Sequence, residues 1–339
     1  STLAALVPPG VALVHNAPFL VRRAGTVADE AYVLGVMSSI PFDWYIRRWV
    51  DRHLTFDLLN PAPLPRPDKD NPWRARAAEI AGARPHLAMA WHLVTYDAGR
   101  ALMEGRVGEA EDRMDEALAV GRRAGHPYAE TVHGVQAVEL ARLRGDPEAV
   151  LRLAEGDPWL DLRPTWLEAM AARALLALGR GEEARARFEM LAQRGFDRLR
   201  RNVRWTKNLV ELAGLCAELR DAPRAAALIT LLTPFEHHHA VLPVPICHGG
   251  PVSHALARLH EAVGALDLAD ECYTRAAADA HRLGARPSEA RVAIDHALLC
   301  ARRGDRVGAR ERRAQALAVA RAAGLTALER AAEAQRGIA

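Results

Sequence analysis

Lysine is almost missing from this chain. All but Lys69 and Lys207 of its 45 basic residues are arginine. A phosphate-binding loop of the Gly-Lys-Ser/Thr type needs lysine after a glycine. Lys69 sits between two aspartates and Lys207 between Thr206 and Asn208, so neither supplies that loop. Cysteine is scarce too. Cys216, Cys247, Cys272 and Cys300 show no Cys-x-x-Cys spacing and read as the reduced thiols of a cytosolic protein. The formal charge is only +3, without the basic excess that marks many nucleic-acid binders. Aromatics make up 5% of residues, which suits helices packed through small side chains. No apolar run approaches the roughly 18 residues of a membrane span. Ser1 to Val14 lacks a basic start and is broken by Pro8 and Pro9, so it does not read as a signal peptide. A cytoplasmic location without a membrane partner is expected.

Half of the residues are hydrophobic, enough for a sizeable core, and 339 residues suggest about two domains. Residues 1–67 carry the strand-like text. Val11–Val14 and Phe19–Arg22 are short β-type runs, and Leu54 to Leu59 is a third. Between them, Tyr32, Val36, Ile40 and Trp44 recur at helical spacing, with Pro41 as a kink. This predicts a small α/β segment. Pro61, Pro63, Pro65, Pro67 and Pro72 then impose an extended path, and residues 68–84 read as a proline-rich linker and lead-in helix.

From residue 85 to 339 the grammar changes. Short turns recur at Gly105, Gly145, Gly179, Asp221, Gly264 and Gly304. Each precedes a helix opening on a small residue: Ala110, Ala149, Ala184, Ala225, Ala269 and Ala309, 35 to 44 residues apart. A period near 40 predicts stacked helix pairs, about six of them, in a mostly α-helical right-handed solenoid. The second helix of a pair places alanine, a large apolar residue four on, and a small or apolar residue three later on one face, as in Ala110-Met114-Ala117, Ala184-Phe188-Leu191, Ala225-Ile229-Leu232 and Ala269-Tyr273-Ala276. Arg313 interrupts the pattern in the last copy, as a terminal repeat with a solvated face would.

This pattern resembles tetratricopeptide (TPR) repeats. The run LLALGRGEEARARFE from Leu175 to Glu189, the stretch from Trp205 to Ala225 and that from Ala269 to Gly324 are similar to the C-terminal TPR region of bacterial class III adenylate cyclases and LuxR-type ATP-binding regulators. The catalytic, ATPase and DNA-binding modules of those proteins have no counterpart here. Residues 1–84 resemble a different family. The run AYVLGVMSSIPFDWYIRR from Ala31 to Arg48, with LLNPAPLPRP from Leu58 to Pro67, is similar to the C-terminal target-recognition region of adenine-specific DNA methyltransferases of restriction–modification systems. Asn60-Pro61-Ala62-Pro63 is not that family's catalytic motif, because it lacks the aromatic that stacks on a flipped base.

The resemblances imply a non-catalytic regulatory scaffold that binds a peptide or partner domain in a concave groove, with no cofactor. The alternative is a DNA-associated accessory or remnant of a methyltransferase. First helices of each pair should line the groove, which selects His92, Tyr96, Gln136, Arg173, Lys207 and Asn208. A nucleic acid would be met by Arg194, Arg198, Arg200, Arg201, Arg204 and Lys207, with Phe196 and Trp205 interleaved. The plainer reading is a charged loop with Trp205 as the first core residue of the next helix. His237, His238 and His239, followed by Cys247, His248 and His254, bring zinc-ligand chemistry into one stretch. Neighbouring histidines diverge, so His237, Cys247 and His254 are the combination to consider, against a solvated loop stiffened by Pro243, Pro245 and Pro251. Glu182-Glu183, Asp267-Asp270 and Glu109-Glu111-Asp112 fall near helix starts, where carboxylates favour the dipole. Ser38 and Ser39 lack a nucleophile elbow.

Overall fold

The computed structural model describes residues 87–156, 164–193, 195–242 and 246–337. The chain divides into two compact units, Ser1–Ala90 and Trp91–Ala339. The strands and helix expected within 1–67, the linker at 68–84 and Arg194 lie outside the described residues. The described helices belong to the second unit, which the first of them enters from Leu87.

Thirteen α-helices occur in chain order among the described residues. They are α1 (Leu87–Glu104), α2 (Val107–Arg123), α3 (Ala129–Arg144), α4 (Pro147–Ala154), α5 (Thr165–Ala177), α6 (Gly181–Ala192), α7 (Trp205–Leu219), α8 (Ala222–Leu232), α9 (Val252–Ala262), α10 (Leu266–Leu283), α11 (Arg286–Arg302), α12 (Arg306–Ala322) and α13 (Thr326–Ala334). None is long and apolar enough to cross a membrane. The turns stop each helix and restart the next by local chemistry. Before α4, Asp146 accepts a hydrogen bond from the Ala149 amide at 2.8 Å, and Pro147 occupies a first-turn position that needs no amide donor. Asp221 does the same for Arg224 ahead of α8 and Asp305 for Gly308 ahead of α12. Asp146→Ala should cost about 1 kcal/mol, read as a lower urea midpoint with an unchanged slope.

The alanine pattern packs as its spacing requires. Ala110, Ala184, Ala225, Ala269 and Ala309 are fully buried, as are Phe188 and Tyr273 four residues after two of them. Small side chains let neighbouring helices approach. At Gly121 on α2 an added Cβ would lie 2.6 Å from the Ala129 Cβ and 2.7 Å from the Trp91 ring. Arginines fasten the outside, reaching carboxylates on other elements: Arg144 to Glu111, Arg224 to Glu189 and Arg303 to Asp267. Being exposed, each contributes well under about 1 kcal/mol.

Helices α5, α7, α9 and α11 form a row in which α5 packs on α7, α7 on α9 and α9 on α11, and α3 joins it through α4, which packs on both α3 and α5. Helices α4, α6, α8, α10 and α12 each flank a member of that row. Helix α13 packs on α11 and α12 and also returns to α3. The α3–α4 turn is built for this contact. Gly145 has φ +68°, and a Cβ there would lie 2.7 Å from the Ala327 Cβ on α13. Leu325 likewise meets Gly105 at the α1–α2 turn.

Between α8 and α9 the chain forms a small antiparallel hairpin, β1 (His239–Val241) and β2 (His248–Pro251). His239 pairs with Pro251, Ala240 with Gly250 and Val241 with His248, with an irregularity at Ala240/Val241. The hairpin rests on α7 and α10. The sequence reading has a solvated loop here; instead Ala240, Leu242 and Cys247 are buried.

Candidate functional site

Helices α3 and α7 are buried along much of their length, yet each carries charges at helical spacing. A charge on such a helix has no water to turn to, so it must find a counter-charge. Glu139 and Arg142 on α3 meet Lys207 and Glu211 on α7. The Lys207 Nζ donates to Glu139 Oε1 and Glu211 Oε1, both at 2.8 Å, and its side chain has no solvent exposure. Arg142 donates to Glu139 at 2.7 Å. From α5, Arg173 donates to Glu211 at 3.1 Å and to Glu218 at 2.7 Å. From α9, Arg258 donates to Glu218 at 3.0 Å and approaches Asp295 of α11 at 3.7 Å, and His254 closes on Asp295 at 2.8 Å. Charges alternate from Arg142 to Asp295 across five helices.

Two glycines make room for it. A Cβ at Gly214 would come within 3.0 Å of the Arg173 guanidinium, and one at Gly249 within 2.9 Å of the Lys207 stem. Burial alone would raise the Glu139, Glu211, Glu218 and Asp295 carboxyls; the cations and hydrogen bonds beside them outweigh it and hold all four below the ordinary range. Burial would lower Lys207, but Glu139 and Glu211 raise it. A carboxylate depressed in the folded state contributes stability above its unfolded value near pH 4.5 and loses it as pH falls through the folded value. The protein should therefore hold its urea midpoint from pH 7 to about 5 and lose it steeply below about 4. A flat midpoint down to pH 3 would contradict the network.

One cation stands apart. Arg291 of α11 has no hydrogen bond or ion pair among the described residues. Burial first, then the neighbouring Arg142 and Arg173 guanidiniums, push it down to about 9. It is half-buried and lines a cavity of about 520 Å³. Arg142, Asp146, Arg173 and Glu218 share that cavity's polar wall, the Asp146 side chain capping α4, and Val150, Met170, Ala174, Leu176 and Ala177 make its apolar one.

The residues singled out in the sequence disperse over this plan. Of the six groove candidates, Arg173 lines the cavity. Lys207 and Gln136 are sealed in the core, the latter donating to the Thr95 and Ile246 carbonyls. Asn208 accepts from the Trp166 amide at 3.1 Å, capping the first turn of α5. His92 and Tyr96 are half-buried on α1, with His92 edge-on to Trp91. Arg198, Arg200, Arg201 and Arg204 are exposed, but Trp205 is buried against Phe235 at 5.1 Å, which removes its ring from any base. His237 is exposed, Cys247 is buried beside Glu139, and His254 is spent on Asp295, so these three do not converge. Among the described residues the ligand atoms that do cluster belong to Asp270, His296 and Cys300, within 4.8 Å of one another, with Asp270 and His296 hydrogen-bonded at 2.7 Å. Burial pushes the Cys247 thiol up to about 12, which keeps it protonated and unreactive at neutral pH.

Sequence reasoning missed Arg142, Glu218 and Arg291. For Arg142 a signal existed: charged residues set among apolar ones, as in Val135–Arg144. The chain matches no protein-family model, no curated protein and no solved structure.

Proposed function

We propose that residues 85–339 are a TPR-like array of helix pairs acting as a non-catalytic regulatory binding module. The cavity is its ligand seat, and a peptide or partner domain responds to the state of the array. One observation carries this reading. The cavity walls come from α3, α4, α5, α7 and α11, so a molecule inside touches helices from early and late in the chain at once. The order of helices supports six pairs followed by a last helix. The site chemistry also favours binding over catalysis. The carboxylates of the charge chain are held ionised by fixed partners, which makes them poor at moving a proton.

The test is thermal unfolding against a panel of small neutral, anionic and cationic compounds, with Ala177→Phe as the cavity-filling variant. At least one class should raise the melting temperature of the native chain, with the shift lost in Ala177→Phe. Hydrogen exchange should slow in α3 and α11 together when that compound binds. A panel without effect at millimolar concentration, or a shift that survives Ala177→Phe, would overturn the reading.

A further inference from the structure

We infer that the cavity takes a small organic monoanion with an apolar body, its carboxylate seated on Arg291. This rests on the cavity being a ligand seat and adds the chemical class.

Charge balance is the first argument. Arg142, Arg173, Lys207 and Arg258 are matched one for one by Glu139, Glu211, Glu218 and Asp295. Burial lowers His254, which keeps it neutral at pH 7. Arg291 is the cation of this cluster with no ion-pair partner among the described residues, and it lines the cavity; the exposed Asp146 on the same wall forms no ion pair with it. A half-buried guanidinium without an ion-pair partner is costly, and a single carboxylate gives it a counter-charge while offering the planar fork that guanidinium matches. A dianion would overshoot the balance beside Asp146 and Glu218, which line the same space. Glu218 does not satisfy Arg291 itself, because Arg173 and Arg258 already hold it.

The apolar wall is the second argument. Covering Val150, Met170, Ala174, Leu176 and Ala177 with carbon removes apolar surface from water, which favours a ligand with an apolar body. Inorganic anions leave that wall wet. A volume of about 520 Å³ lies within the range of pockets that enclose small organic ligands. Arg291 also borders a narrow recess next to Cys247 and His248. Burial, then His239 and Lys207, push His248 down to about 3, so it stays neutral and does not compete for the anion.

The experiment titrates the full chain by calorimetry with octanoate, with its neutral isostere octanamide, and with inorganic phosphate. Octanoate should bind, with octanamide and phosphate each at least tenfold weaker. Arg291→Gln should lose octanoate binding by at least tenfold while its unliganded melting temperature stays equal or rises, since a half-buried charge without an ion-pair partner is gone. Arg291→Lys should keep part of the affinity. Equal binding of octanoate and octanamide would overturn the anion but leave the cavity as a ligand seat. Phosphate binding without octanoate would overturn the apolar body. Octanoate binding undiminished in Arg291→Gln would overturn the assigned residue. Octanoate that does not bind, while neutral compounds stabilise the native chain and not Ala177→Phe, would overturn the class alone.

Discussion

Lys207→Met should destabilise the second unit by about 3 kcal/mol, at the low end of what breaking a buried ion pair costs. The variant keeps the stem that Gly249 and Trp166 accommodate, so packing is nearly conserved. What is lost is the charge that both Glu139 and Glu211 use. Neither carboxylate is left wholly unpaired, because Arg142 still holds Glu139 and Arg173 still holds Glu211. That is why the expected loss lies near the bottom of the range. Unfolding in urea measures it. The second expected sign is an acid limb moved to higher pH, because Lys207 is among the groups depressing both carboxyls. A loss below about 1 kcal/mol with an unchanged acid limb would mean that the network is solvated.

Gly145→Ala should be comparably harmful for a different reason. Two costs combine at one methyl group. A left-handed backbone costs an alanine about 1 kcal/mol or more, and a Cβ 2.7 Å from that of Ala327 has nowhere to go unless α13 moves away from α3. Overpacking of this kind adds about 1–3 kcal/mol, so a total of about 2–4 kcal/mol is expected. The parts separate in a double-mutant cycle. Ala327→Gly removes the opposing methyl, so Gly145→Ala should cost only its backbone share in that background. Equal costs in both backgrounds would show that the α3–α13 contact carries no strain.

The alanine spacing and the turns made most of the helical order readable, because both act locally: small residues at helical intervals bury, and aspartate ahead of a helix caps it. The hairpin at His239–Pro251 was not readable. Its strands are three and four residues long and full of histidine, glycine and proline, and they exist because α7 and α10 hold them. For the site, Arg173 is read from the sequence as a liner of a concave groove, and in the structure it lines the cavity. The same reading puts Lys207 in a groove. Its surroundings decide otherwise, and they come from Glu139, 68 positions earlier. Arg291 has no distinguishing mark in the sequence, where one arginine among so many carries no signal; only the pairing of all its neighbours sets it apart.

The return of α13 to α3 changes how the second unit comes apart. A row of helices that met only their neighbours would fray inward from both ends, each turn giving way at its own denaturant concentration. Here the last helix is fastened to the third, so releasing either end also breaks a contact spanning most of the unit. Such a chain unfolds in one concerted step, and it closes that contact late in folding, after a long loop has been drawn in.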